Sequence, residues 1–379
     1  MPGDSGDRSS SLFDALVNSA SPRSSIRPAL FHGIDWQRFL DAAYYHGIHA
    51  IACKRLLESN LDLQPAEREL LRAALQSTST KSFRLVQEVL RVTRSFRERR
   101  LRIAPYKGPV LAEDLWGSFA LRDCADLDFL VPFEEADRAA SLLQELGYSE
   151  LSPIPSHLRP ALHRNASEEQ LVNHEKNILL ELQWSPAPRV LGIDFDASTM
   201  WNRVREIDFA GNRVLAHAPE DLFVLLAIHG WKHNWSRLLW VGDVAQLMQS
   251  NVLKWNEIFR FAERNHVLGI IRLAIGTAHA CFNIELPDGH KPIAAQRHLV
   301  EALLRHLRDA TPASYSDWHR LMLAARDTNR DKFRQVTRFL LTPGLGEYNF
   351  AALPAWAQSG YRAIRLARVM GMAQAKGRD

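Results

Sequence analysis

The sequence predicts an α+β fold: a small mixed sheet within residues 101–215, held between helical subdomains made from residues 11–100 and 216–379. Three observations predict it. Apolar residues recur at helical spacing through both ends of the chain. Short apolar runs concentrate between those ends, at Ile103–Tyr106, Leu127–Val131 and Asn177–Trp184. Val204–Phe209 and Asn212–Leu215, on either side of Ala210-Gly211, read as a hairpin.

A chain of 379 residues can bury a substantial core. The net charge of +4 is compatible with an anionic substrate but too small by itself to argue for nucleic acid. There is no helix-hairpin-helix pattern, no zinc knuckle and no continuous basic and aromatic groove, so nucleic acid is not the expected partner. Cys53, Cys124 and Cys281 are too scattered for a zinc motif or a disulfide framework, which points to a reducing compartment, the cytoplasm. The opening MPGDSGDRSSS lacks the basic start and apolar run of a secretory signal, and residues 1–10 are expected to be a disordered tail. No stretch is long and apolar enough to span a membrane.

The first arm reads as helices at Ile34–Tyr45, Ile48–Glu58, Pro65–Ser77 and Ser82–Arg100. In the last, Leu85, Val89, Val92 and Phe96 form an apolar stripe that must face a core. Arg91, Arg94, Arg97, Arg99, Arg100 and Arg102 form a basic cluster, read first as a solvated face and second as an anionic-substrate contact.

The centre of the chain is Ile103–Val131. A strand ends at Lys107-Gly108, where glycine lets the backbone approach a ligand and lysine supplies a point charge. Pro109 suits a first helical position, and the following helix turns its free N–H groups toward the turn, where phosphate oxygens are stabilised. On the next strand Asp126 and Asp128 project to one face while Leu127 and Phe129 take the other. Two carboxylates so placed repel unless a cation joins them, which makes them a natural site for a divalent metal and a nucleotide. Phe133–Leu146 then reads as a helix ending at Gly147, Pro153–Pro160 as a turn-rich segment, and Pro186 and Pro188 as breakers.

Lys107-Gly108, Leu111, Arg122 and Asp126-Leu127-Asp128-Phe129-Leu130-Val131 resemble the uncharacterised nucleotidyltransferase family of the DNA polymerase beta superfamily. The resemblance covers about residues 30–290. It implies that Asp126 and Asp128 hold Mg²⁺, or Mn²⁺ in its place, with a third carboxylate on a later strand, the place of Glu181. It implies an NTP donor, ATP first, with Lys107, Gly108 and Arg122 at the triphosphate. Gln183 stands where the family often has histidine. Gly117-Ser118 is a second candidate for the glycine turn, but it falls at a helix end, so Lys107-Gly108 is preferred.

A helix beginning at Pro219-Glu220-Asp221 carries His229 and His233 one turn apart. Gly230 stands where a His-Glu-x-x-His protease would need glutamate. His229, His233, Trp235, Arg237, Leu238, Trp240 and Asp243 are similar to the family's recurring H-x-x-x-H-x-W-x-R-L-x-W-x-x-D signature. Two readings stay open: Lys232, His233 and Arg237 reach into the cleft for triphosphate or acceptor, or the histidines bond helices to the sheet. Asp243 is expected to orient a neighbour. Trp255–Ala278, Ala294–Arg308, Trp318–Ala325 and a basic stretch from Ala355 to Met372 complete the helical pattern. The last is read as a docked helix, with peripheral contact to an anionic membrane as the lesser alternative.

The function implied is Mg²⁺-dependent transfer of NMP to a hydroxyl acceptor with release of pyrophosphate. Kinase-type attack on the γ-phosphate would use the same residues. An interaction protein that retained the fold is the reading from another class.

Overall fold

The computed structural model describes residues 5–153, 155–288, 294–310, 314–351 and 353–371. The first four residues of the expected tail, residues 289–292, read from the sequence as part of a Pro287–Pro292 loop, and Met372 lie outside them. The N-terminal arm consists of α1 (Ser5–Ala20), α2 (Trp36–Tyr45), α3 (His49–Leu57) and α4 (Pro65–Glu98). Helix α4 is one element of 34 residues where the sequence suggests two. No Pro or Gly interrupts it, and the hydroxyls of Thr78, Ser79 and Thr80 donate back to the carbonyls of Ala74, Leu75 and Gln76, so the polar stretch stays helical.

The central sheet has five strands: β1 (Ala104–Pro105), β2 (Leu127–Leu130), β3 (Ser149–Glu150), β4 (Glu168–Asn173) and β5 (Ile178–Gln183). Their spatial order is β1-β2-β5-β4-β3, with β2 and β5 parallel and every other pair antiparallel. Helix α5 (Gly108–Trp116) follows β1 and α6 (Ala136–Glu145) follows β2. The stripe of α4 packs with α6 on one face of the sheet, around Leu127, Phe129, Leu180 and Leu182. After α7 (Arg159–Asn165) and α8 (Ser198–Trp201) comes the hairpin of β6 (Arg205–Phe209) and β7 (Asn212–Ala216). Ala210 and Gly211 both have positive φ, 48° and 73°, as a two-residue hairpin turn requires.

Strands β3 and β4 and helix α7 are absent from the sequence reading. In β4 the buried positions are Glu169, Leu171 and Asn173, so burial alternates without hydrophobic alternation. Glu169 is tolerated there because Arg159 of α7 pairs with it at 3.1 Å.

The C-terminal arm holds α9 (Pro219–Lys232), α10 (Leu238–Gln249), α11 (Trp255–Arg264), α12 (Leu268–Phe282), α13 (Ala294–Asp309), α14 (Tyr315–Ala324), α15 (Asn329–Leu341), α16 (Leu345–Phe350) and α17 (Gly360–Val369). The expected single helix over Trp255–Ala278 is broken at His266, whose φ is +55°. Helix α15, missed in the sequence, starts on a Thr328–Asp331 cap in which each side chain accepts from the other's backbone N–H. A second core joins α1–α3 to α9–α13, so the two ends of the chain share one hydrophobic interior behind the sheet. Among the described residues no helix is long and apolar enough to cross a membrane.

Much of the basic cluster is structural. Arg91 pairs with Glu88 at 2.5 Å, Arg99 with Glu145 at 2.7 Å and Arg102 with Glu134 at 2.8 Å. In α17, Arg365 and Arg368 turn to Glu347 at 3.5 and 2.9 Å.

Gly230 lies in α9 against the buried Trp235 ring, and a Cβ there would stand 2.5 Å from it. Gly230→Ala should therefore destabilise the fold by about 1–3 kcal/mol in urea unfolding. An unchanged midpoint would contradict this packing.

Candidate active site

The register of the parallel pair places Asp128 of β2 directly beside Glu181 of β5. Asp128 is buried, Glu181 and Asp126 half-buried. Lys107, at the N-terminal cap of α5, puts its Nζ 2.6 Å from Asp128 Oδ1 with both side chains almost fully enclosed. Gly108 follows with φ +68° and open space where a Cβ would project, a backbone conformation that favours glycine.

Gln183 ties the carboxylates together. Its Nε2 donates to Asp128 Oδ1 at 3.1 Å and to Glu181 Oε2 at 3.0 Å, while its Oε1 accepts from the Tyr106 hydroxyl at 2.8 Å. The tyrosine contact sets the orientation of the amide, leaving only N–H to face the acids. Gln170 on β4 donates to the other Glu181 oxygen at 3.1 Å.

Helix α9 closes this face of the sheet. His229 Nδ1 lies 3.3 Å from Lys107 Nζ. Burial, then the positive charge of Lys107, holds His229 well below its ordinary pKa, so the ring is neutral and accepts at Nδ1. Lys232 reaches Glu168 of β4 at 3.5 Å. His229, His233 and Trp240 form an aromatic cluster with centroids 4.7–5.3 Å apart, and the exposed Arg237 guanidinium lies 5.9 Å from the Trp240 ring.

Arg122 is placed differently. Its Nε donates to Asp243 Oδ2 at 3.0 Å, and Trp116 Nε1 donates to Oδ1 at 3.0 Å. Both members of the ion pair are buried, so Arg122 fixes the turn between α5 and β2 to α10. Its charge still acts on Asp126, lowering a carboxyl that burial and Asp128 raise. Lys107, Asp126, Asp128, Glu181 and Lys232 thus belong to one cluster, His233 and Arg237 line its aromatic edge, and Arg122 stands behind it.

Sequence reasoning overlooked Gln183 as a bridge, and it missed Tyr106 and Glu168. The polar residues at alternate positions of Asn177–Trp184 were the available signal for Gln183. Glu168 had none, because β4 itself was not recognised.

Four carboxylates, Asp126, Asp128, Glu168 and Glu181, face two ammonium groups, Lys107 and Lys232. The deficit of positive charge is visible at Glu181, which burial first, then Glu168 and Asp128, push from 4.5 to about 7. Among the described residues no three His, Cys, Asp or Glu side chains converge on a point ready to hold a metal ion. With Lys107 on Asp128, the donor set fits a hard cation in charge and oxygen chemistry while lacking a preformed cage.

The sequence matches the uncharacterised nucleotidyltransferase family over residues 32–283. The chain belongs to that family. No curated protein and no solved structure matches it. Membership in the nucleotidyltransferase family supports nucleotidyl transfer as the general class of reaction, and the family match takes in the whole sheet and α9–α12.

The raised Glu181 carboxyl makes a pH prediction for this nucleotidyltransferase. The folded chain keeps a proton that the unfolded chain loses above pH 4.5, so stability falls as pH rises through 4.5 to about 7. In metal-free urea unfolding, Glu181→Gln should flatten that slope by on the order of 2 kcal/mol, after allowance for its partial exposure. Parallel slopes for variant and parent would contradict the assignment.

Proposed function

We propose that this nucleotidyltransferase moves a nucleoside monophosphate from an NTP, ATP first among them, to a hydroxyl of a small molecule, a peptide or protein, or a glycan, and releases pyrophosphate. The observation that carries the reading is the juxtaposition of Asp128 and Glu181 across parallel strands, with Lys107 between the acids and the start of α5. Asp126, Asp128 and Glu181 would hold Mg²⁺ or Mn²⁺, which when bound supplies charge neutralisation at the triphosphate.

The remaining roles belong to the chain's own groups. Lys107 gives up Asp128 and turns its ammonium to triphosphate oxygens at the N-terminal end of α5. Lys232 and Arg237 take the outer phosphates, and His233 packs beside them with Trp240. Arg122 remains a fixed positive charge behind Asp126. Glu181 accepts the proton of the acceptor hydroxyl as its oxygen bonds to the α-phosphorus. The bond from that phosphorus to the bridging oxygen breaks, and pyrophosphate leaves with the electron pair.

Label position tests the reaction. The protein is incubated with host extract, Mg²⁺ and NTPs labelled at the α- or the γ-phosphate. Acceptor-bound α-label is expected, reduced on the order of a thousandfold, about 4 kcal/mol, by Asp126→Asn/Asp128→Asn. Transfer of γ-label alone would replace the proposal with phosphoryl transfer, and no transfer of either label would favour a non-catalytic interaction protein.

A further inference from the structure

The family match ends at residue 283, and α13–α17 lie beyond it. Helices α15, α16 and α17 meet α7 and the turn at Arg189–Leu191 around a cavity of about 530 Å³, within the range of small-molecule sites. Arg164, Arg189, Arg338 and Arg362 line this cavity, and no Asp or Glu does.

Most of that charge is uncompensated. Arg338 donates to Asp194 at 2.9 Å, while Arg164, Arg189 and Arg362 make no ion pair among the described residues. Asp194 is already shared: burial would raise its carboxyl, but Arg338, Arg334 and Arg189 outweigh this and lower it. Within α17 the contrast is plain, since Arg365 and Arg368 turn to Glu347 and Arg362 lines the cavity instead. The wall is rigid. Tyr348 and Tyr361 are buried at 4% and 1% exposure, Asn165 donates to the Tyr348 hydroxyl at 3.0 Å, and the Tyr361 hydroxyl donates to the Ala351 carbonyl at 2.9 Å.

Arg164, Arg189 and Arg362 are exposed, so a group with several anionic oxygens can meet several guanidinium donors in the cavity at once. Their planar forks match phosphate oxygens two at a time. A monoanion would neutralise only part of the excess. We infer that this cavity is an anion site, distinct from the Asp128 cluster, for a small molecule bearing phosphate with at least two negative charges. The inference stands apart from the reaction proposed above, since none of its residues belongs to the acidic cluster.

Isothermal titration of the full chain with inorganic pyrophosphate in metal-free buffer tests it. Saturable binding is expected in the Lys232→Gln/Arg237→Gln protein, where the acidic cluster no longer competes for the ligand, and is weakened about tenfold or more when Arg189→Gln/Arg362→Gln is added. Arg189 and Arg362 are exposed, so the fold tolerates the change. No saturable binding in that protein, or binding that the added cavity substitutions leave unchanged, would overturn the inference.

Discussion

The parallel pairing of β2 with β5, in the register that sets Asp128 against Glu181, creates a demand that the surrounding structure answers. Two carboxylates on adjacent strands and one face, largely removed from water, oppose each other's ionisation. Lys107 answers with an ammonium, Gln183 with both N–H groups, and Tyr106 by fixing the orientation of that amide. Helix α9 completes the enclosure, and the neutral His229 ring accepts from Lys107 where a charged one would repel it. The resting site is therefore ordered by substitutes for a cation, and Glu181 records in its raised pKa that the substitution is incomplete.

The part of this site that follows from local pattern was legible. Alternation along a strand places Asp126 and Asp128 together, and the Lys-Gly pair before a helix sets Lys107 at the N-terminal cap of α5. What depends on distant pairing was not. Arg122 looks like a triphosphate ligand in the sequence, yet its guanidinium meets Asp243, 121 positions away. Gln183 looks like a lapse from a family histidine, and only the cross-strand register reveals it as a donor to two acids. In both cases the side chain's chemistry was evident and its partner was not.

The fold shows the same division. Helices with apolar stripes, the β6–β7 hairpin and the two central strands follow from periodicity and turn chemistry. Strand β4 was hidden because its inward positions include Glu169 and Asn173, and α7 because Pro160, read as a turn residue, sits in the first turn of the helix. The split of α4 was misread because a Ser/Thr run resembles a linker until its hydroxyls find the carbonyls one turn back. Tertiary partners decide each of these cases, and they also make the frame: α4 and α6 cover one face of the sheet, and the acids on the other face lie between the sheet and α9.

We propose that Asp126, Asp128 and Glu181 bind a divalent cation together with a nucleotide. Equilibrium binding of a non-reactive ATP analogue, measured with and without Mg²⁺, tests that claim most directly. Affinity should rise at least about tenfold with the metal and lose that gain in Asp126→Asn/Asp128→Asn. Binding equally tight without metal, or a metal effect that persists in the variant, would contradict it.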